Sequence, residues 1–76
     1  MVYRDRIEID PSVCSGKPVI RGTRILVTSI LSQLSAGESS VTIRHGYPEL
    51  TDDDIRAALE FAKESIESTE IAALRD

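Results

Sequence analysis

This chain of 76 residues has little of the chemistry that small catalytic and metal-binding domains use. It contains one cysteine, one histidine, no tryptophan and only 4% aromatic residues. A single cysteine, Cys14, excludes an internal disulfide, and it cannot complete a four-ligand zinc site with the single histidine, His45. A very small domain is usually stabilised by disulfides, a metal or self-association, and the first two are excluded here, so self-association remains. We expect a homodimer with no metal and no cofactor.

Long apolar runs are also missing. No stretch approaches the ~20 residues that cross a bilayer. The charged beginning of the chain, through Arg6, has no apolar segment behind it and does not resemble a secretion signal. An unpaired cysteine is typical of a reducing compartment. These features predict a cytoplasmic protein without a membrane partner.

The net charge of −4 conceals two segments of opposite sign. Residues 1–24 carry five basic and three acidic side chains, whereas residues 25–76 carry four basic and ten acidic ones. Nucleic acid, if bound, is therefore expected at the basic segment. Its basic residues are Arg4, Arg6, Lys17, Arg21 and Arg24. The competing interpretation is a solvated face with local salt bridges.

Periodicity predicts two short strands before residue 26. Residues 6–10 alternate apolar and polar side chains, and residues 17–21 form a second β-prone run. Two strands alone are marginally stable, so we expect them to pack on helices or on a second chain. The spacing then becomes helical, which predicts a first helix at about 28–36 that ends at Ala36-Gly37.

Two further helices are predicted. Ser39 is a good N-cap for a short helix at about 40–45, with Val41 and Ile43, or a close variant of this pair, directed inward. Thr51 and Asp54 form a capping-box pair at the start of the third helix. Apolar residues then recur on one face, which we expect in the core: Ile55, Ala58, Leu59, Ala62 and Ile66. The predicted fold is mainly α, with a β-arm or hairpin (residues 1–26), a three-helix bundle (27–68) and a tail (69–76) in a single domain over 1–76.

Apolar residues outside that face are candidates for binding a protein partner. Ala57 and Phe61 form a second, shorter apolar line on the third helix. Ile71 and Leu74 lie three residues apart in the polar tail, which is the spacing of anchors on a helix that docks in a groove. The alternative for the tail is simple fraying of a terminus.

Catalytic groups are not indicated. Asp52, Asp53 and Asp54 suit a helix N-terminus better than a cation site, because the unpaired amides there attract acids. Cys14 and His45 lack the orienting group and oxyanion donors that a nucleophile and its base require. Gly16-Lys17 is followed by Pro18 and lacks the remaining glycine of a phosphate-binding loop. We expect a non-enzymatic protein without catalytic residues.

Several segments together resemble domain-of-unknown-function family 433. They are GKPVIRGTRI at 16–25, LSAG at 34–37, YPELT at 47–51 and IRAAL at 55–59. The resemblance covers about residues 5–65. It implies a homeodomain-like, helix-turn-helix arrangement of three helices behind a β-arm. It also implies kinship with VapB-type antitoxins, which are encoded beside PIN-like ribonuclease toxins.

The leading hypothesis is therefore a dimeric antitoxin of a type II toxin–antitoxin pair that sequesters a PIN-like ribonuclease and binds its own operator. The acidic segment suits a basic RNA-binding surface on such a partner. The alternatives are a free-standing dimeric DNA-binding transcriptional regulator and an interaction module without a toxin. Because acids crowd the start of the third helix, we expect operator DNA to contact the basic hairpin or a partner of this protein.

Overall fold

Two short strands and three helices follow one another in the computed structural model, which describes residues 3–68. The elements are β1 (Ile7–Glu8), β2 (Val19–Ile20), α1 (Val27–Ser35), α2 (Ser40–Gly46) and α3 (Asp52–Glu67). Short 3-10 turns occupy Tyr3–Arg6 and Cys14–Gly16. The protein is mainly helical, with a two-stranded antiparallel hairpin before a small three-helix bundle, as its sequence predicts.

The hairpin is shorter than the alternation of side chains predicts. Ile7 pairs with Ile20, and Glu8 pairs with Val19, which is bridged on its other side by Leu26. Arg6 does not extend β1, because residues 3–6 coil into a 3-10 turn that packs against α3. The prediction of a strand over 6–10 is corrected to two residues, and that over 17–21 is likewise too long.

A loop over residues 9–18 joins the strands. The carboxylate of Asp10 accepts hydrogen bonds from the amide of Ser12 at 2.9 Å and from its hydroxyl at 2.8 Å. These bonds, the one from the amide foremost, hold the pKa of Asp10 below its ordinary value. Cys14 and Ser15 adopt left-handed backbone conformations, with φ of 50° and 59°, which few residues other than glycine adopt.

Helix α1 ends where the sequence predicts. The amide of Glu38 donates to the carbonyl of Gln33 and the amide of Gly37 donates to that of Leu34, both at 3.0 Å. These two bonds define a Schellman motif, which requires a left-handed residue directly after the C-cap of the helix, here Ala36. Gly37 meets that requirement with φ of +92°.

Helix α2 confirms its predicted cap but only half of its predicted inward face. The hydroxyl of Ser39 accepts a bond from the amide of Thr42 at 3.2 Å. Ile43 is fully buried, whereas Val41 is 53% exposed. The inward assignment of Val41 is wrong, because two residues along a helix turn a side chain by ~200°.

Helix α3 begins with the predicted capping box. The amide of Asp54 donates to the Thr51 hydroxyl at 3.2 Å, and the amide of Thr51 donates to the Asp54 carboxylate at 3.0 Å. Ile55 and Ala58 are buried in the core beneath this start.

The core includes residues from both the hairpin and the helices. Its buried members are Ile7, Ile20, Ile25, Val27, Ile30, Ile43, Leu50, Ile55, Ala57 and Ala58. Residues 3–26 therefore pack into the bundle and do not project from it as an arm. Within residues 3–68, no helix has the length and apolar character required to cross a membrane.

Candidate functional site

The predicted basic cluster is divided between two environments, and its first two members are paired with acids on α3. Arg4 Nη2 lies 2.8 Å from Glu64 Oε1. Arg6 Nη1 lies 3.1 Å from Asp54 Oδ1, and its Nη2 lies 3.6 Å from Asp53 Oδ2. The pairing of Arg6 is half-buried, and that of Arg4 is exposed. These two arginines hold the N-terminal segment against α3, which leaves less of their charge for phosphate.

The other three basic residues lie on the hairpin. Arg21 uses its Nε to donate to the carbonyl of Asp5 at 2.6 Å and its Nη2 to donate to that of Ile7 at 3.4 Å. Lys17 and Arg24 are exposed, and neither forms an ion pair with another residue in the range 3–68. The exposed positive charge of the hairpin therefore comes from Lys17, Arg24 and part of Arg21.

The predicted partner-binding residues are also separated. Ala57 is fully buried in the core, so its assignment to a partner surface is wrong. Ala57 lies a quarter turn around α3 from the predicted apolar stripe. This side of the helix is buried because the N-terminal segment packs against it. Phe61 is half-buried and packs against the core. Ile71 and Leu74 lie outside the described residues.

An open groove runs beside Phe61, between the N-terminal segment and α3. Its volume is about 240 Å³, and its lining residues are Arg4, Ile7, Ile9 and Phe61. A second hollow of about 300 Å³ adjoins it through Arg4 and Phe61 and extends to Ser68. We call the first hollow the N-terminal groove. Ile9, which is 59% exposed, was not a predicted site residue. Its alternation with Ile7 was the available signal, since residues two apart on an extended chain face the same side.

A second apolar surface lies on the predicted core face of α3. Ile55 is buried, but Leu59 is 47% exposed and Ile66 is 59% exposed. The prediction that these side chains all face the core is wrong for Leu59 and Ile66, because α1 and α2 cover only the first part of α3. A shallow groove of about 290 Å³ lies at this edge, lined by Leu34, Ser40, Asp52, Ile55, Arg56 and Leu59.

The three aspartates at the start of α3 have basic partners. Asp52 Oδ1 forms an ion pair with Arg44 Nε at 3.0 Å, and Asp53 lies between Arg6 at 3.6 Å and Arg56 at 3.8 Å. Asp54 caps the helix. This arrangement confirms the interpretation of these residues as helix-start acids. Among the described residues, no group of three histidine, cysteine or acidic side chains is arranged to hold a metal ion.

The two remaining candidates for chemistry occupy different elements. Cys14 belongs to the second 3-10 turn, and its Sγ donates to the carbonyl of Arg24 at 3.7 Å. His45 is exposed in the last turn of α2. The described residues thus present two apolar surfaces and a basic hairpin.

Comparison with known proteins agrees with the resemblance seen in the sequence. The model of the family "Protein of unknown function (DUF433)" matches residues 7–62. A curated relative is the uncharacterized protein y4eO of Sinorhizobium fredii (strain NBRC 101917 / NGR234), which is 32% identical over 60 residues. The match covers 79% of this chain and 27% of that protein, so the chain spans about a quarter of its relative's length. No solved structure matches. Because the family model covers most of the chain, the protein belongs to the DUF433 family.

Proposed function

We propose that this protein is a non-catalytic binding protein, the antitoxin of a type II toxin–antitoxin pair, and that its N-terminal groove contacts a PIN-like ribonuclease. The observation that supports this most directly is the exposure of Ile9 beside the half-buried ring of Phe61. Exposed apolar residues that line one groove are typical of a surface that a partner covers.

Charge supports a basic partner. Among the described residues that line the N-terminal groove, Arg4 is the charged one, and its guanidinium is paired with Glu64. The chain as a whole carries −4. A ribonuclease that binds RNA needs a basic surface, and the acidic side chains of residues 25–76 are complementary to one, whereas the groove itself supplies an apolar contact.

The test is inhibition of RNA cleavage by a purified PIN-like ribonuclease from the same host. We expect the protein to bind this enzyme and to suppress cleavage at equimolar amounts. An Ile9→Asp substitution should weaken binding about tenfold or more, since a charge in an apolar anchor position is a large loss. Val41→Asp is the matched control, because Val41 is similarly exposed at 53% and lies on α2. Equal affinity for both variants would contradict the proposed contact, and absence of binding by the wild type would contradict the antitoxin function.

A second candidate function, a dimeric DNA-binding regulator, is favoured by the exposed Lys17 and Arg24 of the hairpin. Phosphate contacts release counterions, so binding to upstream DNA should weaken as salt rises. Replacing both residues by alanine should lower the slope of log affinity against log salt by about two. A gel shift that does not respond to salt, or no gel shift at all, would exclude this function. Failure of both tests would leave an interaction module without a toxin.

A further inference from the structure

The N-terminal groove adjoins a hollow of different chemistry. This second hollow, which we call the polar hollow, has a volume of about 300 Å³ and shares Arg4 and Phe61 with the groove. Its other lining residues are Glu64, Ser65 and Ser68. They follow Phe61 at three, four and seven residues, so they lie on the same face of α3. A partner segment that fills the groove and continues along this face therefore meets both surfaces.

The two serines of the polar hollow present oxygen atoms that act as acceptors. The hydroxyl of Ser65 donates to the carbonyl of Phe61 at 2.8 Å, and that of Ser68 donates to the carbonyl of Ser65 at 3.2 Å. Because a hydroxyl has a single proton, each of these oxygens can only accept hydrogen bonds from a bound group. The carboxylate of Glu64 is likewise an acceptor. The polar hollow therefore suits a group that is rich in donors, such as an ammonium or a guanidinium.

The charge around the polar hollow also favours a cation. The C-terminal end of a helix carries partial negative charge, and among the described residues in the last turn of α3 none is basic. Glu60 and Glu67 lie four residues before and three residues after Glu64, on the same side of the helix. Arg4 pairs with Glu64 at 2.8 Å and balances one of these three acids. Lys63 lies ~160° around the helix from the aromatic ring of the groove, so the surroundings of the hollow stay negative.

We propose that the N-terminal groove and the polar hollow together bind one segment of the partner protein, which places a large apolar side chain in the groove and a lysine or arginine in the hollow. This inference deepens the proposed function, on which it rests for the identity of the partner. The apolar side chain packs beside Ile9 and Phe61, and the basic side chain donates to Glu64, Ser65 and Ser68. Because the two surfaces share lining residues, the two side chains are neighbours on one side of the segment, about two to four residues apart on a strand or a helix.

Selection of random displayed peptides on the immobilised full chain tests this pairing without the ribonuclease. We expect the enriched peptides to carry a large apolar residue with a lysine or arginine within about four positions of it. Selection on Ile9→Asp should lose the apolar preference, and selection on Glu64→Gln should lose the basic one. Val41→Asp, at a similarly exposed position on α2, should enrich the same peptides as the wild type. No enrichment on the wild type, or the same basic preference on Glu64→Gln, would overturn the proposal.

The affinity for the purified ribonuclease tests the same residues in the proposed complex. Glu64→Gln should raise the Kd about two- to tenfold, as expected for the loss of one exposed charge pair. Ser68→Lys should raise it to a similar extent, because it adds a cation to the polar hollow and leaves the pair of Arg4 with Glu64 intact. Glu49→Gln is the matched control: it also removes one acidic charge, but it lies in the turn that precedes α3 and should leave the Kd unchanged. Circular dichroism confirms that each variant is folded.

The two experiments separate this inference from the proposed function. If Ile9→Asp weakens binding of the ribonuclease whereas Glu64→Gln and Ser68→Lys do not, the pairing of apolar and basic side chains is overturned and the antitoxin function stands. If the selected peptides carry the pair and the ribonuclease does not bind the wild type, the antitoxin function fails and the pairing stands.

Discussion

Single residues explain how the N-terminal segment is attached to the bundle, and Asp54 is the clearest case. Its side chain is only 10% exposed, and its two oxygens serve different elements. One oxygen accepts a hydrogen bond from the Thr51 amide within the capping box, and the other accepts one from Arg6 Nη1 at 3.1 Å. One carboxylate therefore begins α3 and also fastens the segment that precedes β1.

Removing the carboxylate of Asp54 should lower the free energy of unfolding more than removing that of Asp53. Asp54→Ala deletes a capping bond and a charged hydrogen bond and leaves Arg6 without its nearer partner, so the free energy of unfolding should fall by about 2–3 kcal/mol. Asp53→Ala is the control. Its side chain is 47% exposed with ion pairs at 3.6 and 3.8 Å, and it should cost about 0.5 kcal/mol or less. Urea unfolding measures both; equal losses would show that the shared carboxylate has no special role.

At the scale of elements, the helix ends could be predicted from sequence because their signals are local. The capping box at Thr51, the cap at Ser39 and the stop at Gly37 each depend on residues within one turn, and all three are present. The strands were overestimated because the turn over residues 3–6 depends on contacts with α3, almost fifty residues away. Local alternation carries no information about such a contact.

The glycines at the C-terminal ends of α1 and α2 should respond to replacement by alanine with stability changes of opposite sign. Gly37 has φ of +92° with no atom within 4 Å of an added Cβ, so Gly37→Ala meets no clash and should still destabilise the protein by about 1 kcal/mol through backbone strain. Gly46 lies within α2 with equal free space and an ordinary φ, so Gly46→Ala should stabilise it by about 0.5–1 kcal/mol. Thermal unfolding of both variants decides the matter, and a shift in the same direction for both would refute the argument.

For the whole molecule, the hairpin is part of the core and not an appendage. Ile7, Val19, Ile20 and Ile25 are at most 9% exposed. Burying an aliphatic side chain contributes about 1.5–3 kcal/mol, and a domain's total stability is only about 5–15 kcal/mol. A fragment of residues 27–68 should therefore show no cooperative thermal transition by circular dichroism, whereas the full chain should show one. A sharp transition in the shorter fragment would show that the helices suffice.

The candidate site could be predicted from sequence only in part. The basic residues were identifiable by charge, but the tertiary fold was required to show that Arg4 and Arg6 pair with acids of α3 and that the others lie on the hairpin. The exposure of Leu59 and Ile66 could not be predicted from the periodic stripe. The period gives the direction of each side chain, but it does not give the length of the neighbouring helix that would cover it. Helix α1 has nine residues and α3 has sixteen, so the far end of α3 extends beyond its cover.

The guanidinium of Arg21 has a consequence for how copies of the protein can meet. The amide of Arg21 donates a hydrogen bond to the carbonyl of Arg6, so the next carbonyl, that of Ile7, points away from β2. The Arg21 side chain donates hydrogen bonds to this carbonyl and to the carbonyl of Asp5. An open strand edge is a template for uncontrolled growth into fibrils, and charged side chains placed across it are a common protection. Arg21 thus acts as a gatekeeper that blocks the pairing of a further strand with the carbonyls of Asp5 and Ile7.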